Sequence, residues 1–414
     1  MENSPAGLRS WHRTVIATVA LPLVISLAVM AYAWPASRIA PRDLSVGVVG
    51  TSAASQKAVE ALDHGKPGGF DFHLYPDQAS ARSAIKSREI YGAFVVTPGT
   101  VTVLETTAAS TSVAQLLTTS GQRLAAQAAK LSSQDAGPSL STHGGSTTSK
   151  DTTSKAAAKK AAARKAAAKK AAKVKFKTFD VVPISANDPR GVVFSSALLP
   201  LTMCSIAIAA LIALSGGRIP VWRRLIDLFA ACAVTGLAAY LIAQGLLGAL
   251  PHEHVATWAA LSLTMLAISA TSVGLITLLG NAGLGLSAVL MVFVGNPFSG
   301  STSAPELLPK AVADIGQWLP PGAGANLLRS TAYFEGNGSG SHVAVLVLWS
   351  ALGLTTIVLG RRSPAVVDGP SAQDVAGDDG TSTESPAVNE TATALTFSPA
   401  VNRPHAHARH AAHE

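Results

Sequence analysis

The chain has 414 residues, 48% of them hydrophobic and only 14% charged, with a formal net charge of +8. Soluble domains carry roughly 25% charged residues, and so much continuous apolar sequence would cover a water-facing surface with apolar patches, so a soluble enzyme is excluded. The positive charge does not mark a nucleic-acid binder: ten basic residues lie between Lys155 and Lys177 with no acid among them, and without these ten the remainder stands at −2.

A helix that crosses a bilayer needs about 20 mostly apolar residues. Residues 1–13 read as a cytoplasmic N-terminus and residues 14–34 as the first span. Ala31-Tyr32-Ala33 has the pattern of a signal-peptide cleavage site. The apolar run is longer than a signal core of roughly 7–15 residues, so the segment reads as a retained span.

Residues 35–191 form a large loop that begins as an α/β unit. Residues 44–50 (LSVGVVG) read as a strand, and Ala54, Ala58, Ala61 and Leu62 recur at helical spacing before Gly65. Phe70, Phe72 and Leu74 alternate with polar or amphipathic residues, as in a half-buried strand. Asp77 is placed to cap a helix carrying Ala81, Ala84 and Ile85. Residues 91–97 and 101–105 read as strands around a Pro98-Gly99 turn, and Val113, Leu116, Leu117 and Leu124 mark the apolar side of a longer helix. Residues 132–175 break this order. A Ser/Thr/Gly-rich stretch leads into the near-repeat KAAAKKAAAR, KAAAKKAAKV. Alanine favours helix, but the charges fall all round it, so the insert reads as a solvated excursion. An anionic envelope polymer or lipid headgroups are partners its lysines would suit. A strand resumes at residues 176–184.

The membrane domain, residues 192–360, offers five more spans at 193–214, 225–249, 256–279, 283–295 and 342–360. The fourth of these is short, and it is needed to keep Arg361 and Arg362 on the inner side. Residues 305–334 are half apolar but split by Pro320-Pro321 into two helix candidates, each too short to cross, so they read as outer re-entrant helices packed against the spans. Leu308, Trp318, Leu327, Leu328, Arg329 and Tyr333 are the residues expected to close an outer gate there. Residues 361–414, rich in Pro, Ser, Thr, Asp and Ala, read as a disordered cytoplasmic tail. The sequence thus predicts an α-helical integral membrane protein with about six transmembrane helices, plus an extracytoplasmic α/β domain inserted between the first and second spans.

Lysine and arginine near the span ends set the orientation. With both termini in the cytoplasm, the inside carries Arg9, Arg13, Arg218, Arg223, Arg224, Arg361 and Arg362, against Lys310 and Arg329 in the short outer loops. The expected location is therefore the plasma membrane, multi-pass. No phosphate loop, nucleophile elbow or H-E-x-x-H occurs, no cofactor is implied, and the spans carry no Asp, Glu, Lys or Arg deeper than Asp227. That bareness argues against a self-powered, ion-coupled carrier. Cys204 and Cys232 read as packing residues. His252, His254 and the tail histidines are read as polar turn and tail, with no metal site assigned.

Three stretches carry a family resemblance: PDQASARSAIKSREIYGAFVV (residues 76–96), Asp188-Pro189-Arg190-Gly191 ahead of the second span, and GNPFSG (residues 295–300) with LPPGAGANLLRSTAYF (residues 319–334). In these the chain resembles type 2 ABC transporter permeases, in particular the phage-infection-protein-like subgroup with a large outer domain after the first span. The resemblance implies a homodimeric or pseudo-dimeric pore in membrane lipid, moving a hydrophobic or envelope-associated molecule outward with energy from a separate ATPase. The coupling loop would carry Arg218, Arg223 and Arg224, and at residues 215–224 it is short for a coupling helix. The alternative reading is a non-transporting envelope scaffold or receptor that binds through its outer α/β domain.

Overall fold

The sheet forms where apolar residues run together or alternate between turn-making glycines. In the computed structural model, which describes residues 5–50, 53–134, 174–215, 219–250 and 254–360, strand β1 (Leu44–Val49) is buried along almost its whole length. Helix α2 (Ala53–Gly65) returns the chain to β2 (Phe70–Tyr75), which pairs in parallel with β1. Helix α3 (Gln78–Lys86) starts at Asp77, whose carboxylate accepts the Ser80 N–H at 2.7 Å, so the amide is satisfied as an N-cap requires. The chain then enters β3 (Ala93–Thr97) on the other side of β1 and turns at Gly99 into the antiparallel β4 (Thr100–Glu105). Helix α4 (Thr111–Gln134) precedes β5 (Lys175–Asp180), which lies parallel to β4. The order is β2-β1-β3-β4-β5. A parallel pair demands a crossover, and residues 106–174 supply it. Residues 135–173, which hold most of the expected insert, lie outside the described residues, as do Arg218 and the tail from 361.

Helix α1 (Pro5–Ser37) precedes this unit. Five later helices among the described residues are long and apolar enough to cross a membrane. They are α5 (Val192–Leu214), α6 (Val221–Tyr240, prolonged by π-type turns to Leu246), α7 (His254–Leu279), α8 (Asn281–Ala288, prolonged through Phe298) and α11 (Gly340–Leu359). Two short helices, α9 (Lys310–Trp318) and α10 (Pro320–Tyr333), stand between α8 and α11.

The strand read at residues 176–184 ends at Asp180, and the helix bounds differ most from the sequence reading in three places. The span read at 225–249 begins at Val221, because Pro220 holds an extended backbone that launches the helix four residues earlier. The span read at 283–295 runs from Asn281 to Phe298, 18 residues. Gly280, at φ +60°, makes the turn by itself, so Asn281 and Ala282 are already helical. In residues 305–334, Pro309 delays α9 until Lys310, leaving only a short turn at Pro305–Leu307. Pro320-Pro321 does not separate two helices but opens the second one. There a missing N–H costs nothing and the fixed φ suits a first turn.

Helix α7 is the centre of the bundle: 67% of its apolar window is buried, against 17–28% in the other four spans. It meets α11 backbone to backbone. A Cβ on Gly353 would sit 2.3 Å from the carbonyl carbon of Ala270, so any side chain there forces the helices apart. Small residues at such crossings are how helices pack where lipid removes the hydrophobic drive. The outward faces carry bare apolar side chains, Leu214 at 82% exposure and Leu246 at 78%. Faces like these belong in hydrocarbon, not in water.

Candidate functional site

At one end of the bundle α10 lies wholly inside the molecule. All fourteen of its residues are buried, yet at 1.5 Å per residue it spans only about 21 Å, too short to cross a bilayer of about 30 Å. Gly324 seats it against α7, with no room for a Cβ beside the Thr264 side chain (2.3 Å). The Tyr333 hydroxyl donates to the Ala249 carbonyl at 2.8 Å, and the Trp349 indole donates to the Trp318 carbonyl at 2.7 Å. Of the residues expected at the gate, Leu308, Leu327, Leu328, Arg329 and Tyr333 are all buried, at 3–6% exposure, while Trp318 is 63% exposed. An exposed indole with an apolar body suits a membrane–water boundary.

The same end carries the α/β unit, and the two are joined by side chains. The loop before α9 is gripped by the segment that leads from α1 into β1. Ala40 N–H donates to Leu307 O and Arg42 N–H to Glu306 O, both at 3.0 Å, and the Arg42 guanidinium adds a bond to Leu307 O at 2.9 Å. Ala304 and Leu307 are buried in the core of the sheet beside Leu44, Phe94 and Leu117. In turn Ala108 and Ala109, after β4, pack among Phe194, Leu198, Leu328 and Phe334 of the bundle.

Arg88 makes the most specific link. Helix α3 ends in a Schellman motif: the Glu89 N–H reaches Ala84 O at 2.9 Å and the Arg88 N–H reaches Ile85 O at 3.1 Å. That geometry places a left-handed residue just past the cap, where glycine is usual. Here it is arginine, at φ +63°, at a cost of about 1–2 kcal/mol. The strained backbone aims the side chain at α10. Its guanidinium donates to Asn326 O and Asn326 Oδ1, each at 3.1 Å, and to Ser330 Oγ, and it lies 5.3 Å from the Phe334 ring centre.

Around it lies a buried polar network. Asn326 Nδ2 donates to Gln317 Oε1 at 2.5 Å, Gln317 Nε2 to Ser299 O at 3.1 Å, and Tyr91 OH to Glu306 Oε2 at 2.6 Å. Arg329 shares Asn326 Oδ1 at 3.4 Å, donates to Ser301 O at 3.2 Å and sits 4.9 Å from the Phe194 ring centre. Among the described residues no carboxylate comes within 4.0 Å of either arginine. Burial, and then the neighbouring Arg88, hold Arg329 down to about 10, still charged at neutral pH. Burial lowers Arg88 too, opposed by Tyr91 and Glu306. Burial, followed by the Glu306 carboxylate, pushes the Tyr91 phenol well above its ordinary value, so it remains a donor. With the folded value raised, that bond contributes in full below about pH 10 and fades as the pH rises past it. A cavity of about 240 Å³ opens between the two halves, lined by Arg88, Tyr91, Glu306, Gln317, Asn326 and His342.

Sequence reasoning found Arg329 and the leucines but missed Arg88, Tyr91, Glu306, Gln317 and Asn326. One signal was available: Arg88 stands where a helix end calls for glycine. At the other end of the bundle, Arg223 is exposed and Arg224 half-buried in the first turn of α6. No group of His, Cys, Asp and Glu that could hold a metal occurs among the described residues.

A polytopic helical bundle with an α/β unit inserted after its first helix, and a short helix buried at the end that carries this unit, is the frame of a membrane transport protein. Residues 12–217 match the sequence model of the ABC-2 family transporter proteins, and this match supports a type 2 ABC permease. The match takes in most of α1, the whole α/β unit and α5. Permeases of this family are membrane components of transport, working with a separate ATPase and often as dimers. No curated protein matches the chain.

Proposed function

We propose that the chain is the membrane subunit of an ABC exporter that moves a hydrophobic or envelope-associated molecule outward, with energy from a separate ATPase bound at the start of α6. In this reading both termini are cytoplasmic, residues 35–191 and 296–341 face outward, and α10 is the exit-side gate. The observation that carries it is the complete burial of α10 together with its attachment through Arg88 to the α/β unit. A gate held shut by the outer unit opens when that unit shifts, and a strained arginine donating to three acceptors is a connection that can be made or broken as one piece. Arg223 and Arg224, at the opposite end of the bundle, are where an acidic surface of the ATPase would bind.

The orientation is testable by cysteine labelling in a Cys204→Ser, Cys232→Ser background. On intact cells a membrane-impermeant maleimide is expected to label Asp71→Cys, on the exposed edge strand β2, and to leave Arg223→Cys unlabelled until the membrane is opened. The reverse pattern would contradict the outward placement of the α/β unit.

A further inference from the structure

Beside the gate, two cavities meet at the end of the bundle that carries the α/β unit. The first, about 240 Å³, lies between the C-terminal end of α1, the start of α5 and the loop after α8, and is walled by Tyr32, Pro35, Ile39, Leu198, Leu199 and Leu308. Ile39 is 51% exposed and Leu199 42%, so this apolar limb is open to the surroundings of the bundle. The second, about 50 Å³, is more polar and adjoins the first, with Ser195, Ser301, Thr302 and Ser303 lining both. It is lined by Arg190 and Arg329, with Thr107 and Tyr333, whose hydroxyls already donate to Asp180 and to the Ala249 carbonyl. Arg190 is exposed, and Arg329, at 5% exposure, is buried with no carboxylate within 4.0 Å among the described residues.

Neighbouring acids are already engaged: Glu306, whose charge reaches Arg329, accepts the Tyr91 hydroxyl at 2.6 Å. Asp188 accepts the Val192 and Val193 N–H groups at 2.9 Å each, and Asp180 accepts the Thr107 N–H at 3.3 Å and its hydroxyl at 2.5 Å. A pocket lined by two arginines beside an apolar trough that is open at the helix surface matches a molecule with an anionic head and an alkyl chain. The apolar limb has room for a length of chain.

We infer that this composite cleft binds an anionic phospholipid from the surrounding bilayer, its phosphate between Arg190 and Arg329 and one acyl chain along Leu198, Leu199 and Leu308. A charge-assisted, two-pronged contact with phosphate is what arginine geometry favours over lysine. Bound there, the lipid would neutralise a cation that the fold holds at the gate without a carboxylate. The site stands whether or not the molecule works as an exporter, because lipid binding needs no ATPase.

The test uses the full chain, delipidated in a neutral maltoside detergent. Native mass spectrometry and melting temperature would follow titration with phosphatidylglycerol, phosphatidylcholine, decyl phosphate and inorganic phosphate. Phosphatidylglycerol and decyl phosphate are expected to bind saturably and to raise the melting temperature. Phosphatidylcholine should bind about tenfold more weakly, and inorganic phosphate should leave no resolved adduct. Arg190→Gln, at an exposed position, is expected to weaken phosphatidylglycerol about tenfold. Leu199→Asp, at the mouth of the trough, should weaken both lipids. Equal binding of phosphatidylglycerol and phosphatidylcholine, or phosphatidylglycerol binding unchanged in Arg190→Gln, would overturn the inference. Inorganic phosphate alone reproducing the shift would reduce the site to a free-anion pocket and overturn the lipid assignment.

Discussion

Replacing Leu327 and Leu328 together by aspartate is expected to abolish accumulation of folded protein in the membrane. Both leucines are at most 4% exposed. Leu328 packs in the cluster of Phe194, Leu198 and Leu261, and Leu327 in that of Ala260, Ala267 and Leu346. Each change removes an apolar side chain that costs about 2–5 kcal/mol to delete and puts an unpaired carboxyl in its place. Against a net stability of about 5–15 kcal/mol, two such losses leave little. Trp318→Asp, at a position 63% exposed, serves as the control and should accumulate normally. Wild-type levels of a double aspartate variant, read by size-exclusion chromatography of a fluorescent fusion, would mean that α10 is not a packed element.

The second large effect is expected at Arg88, and it separates the side chain from the backbone. Arg88→Ala keeps the left-handed conformation and its cost of about 1–2 kcal/mol, and it strips the bonds to Asn326 and Ser330. Acceptors left buried and unmatched cost about 1–3 kcal/mol. Arg88→Gly loses the same bonds but relieves the backbone, so it should melt several degrees above Arg88→Ala. Hydrogen exchange across Pro320–Tyr333 should quicken about 30-fold or more in both variants, because the contact between α10 and the α/β unit is gone in both. If exchange in α10 stays at the wild-type rate in both, Arg88 does not hold the gate.

What could be read from residues alone follows the range over which each feature is determined. Spans are local, so the apolar runs at 193–214 and 342–360 were legible within two residues of α5 and α11. The Asp77 cap was legible for the same reason, since donor and acceptor lie three residues apart. Ambiguity arose where one residue type has two uses. Pro320-Pro321 reads equally well as a break or as a first turn, and only the packing of α10 against α7 decides for the turn. The span at 283–295 reads short in sequence because Gly280-Asn281-Ala282-Gly283 offers a longer turn than the single left-handed glycine that the fold uses. The centre of the candidate site was not legible. Arg88 and Asn326 lie 238 residues apart in sequence, and no periodicity within either segment records the other. Arg329 was singled out as the strong base of its helix, but its neighbours Arg88 and Phe194 come from two other elements.

The claim on which the functional account rests is that this chain is the membrane subunit of an ATP-driven transporter. The most direct measurement is affinity purification of the tagged chain from its native membranes in a mild detergent, with the co-purifying proteins identified and the ATP hydrolysis of the eluate measured. An ATPase in near-equal amount is expected, with its hydrolysis lost from the eluate of an Arg223→Glu, Arg224→Glu variant that still reaches the membrane. A chain that elutes with no nucleotide-hydrolysing partner, even after chemical cross-linking in intact membranes, would contradict it.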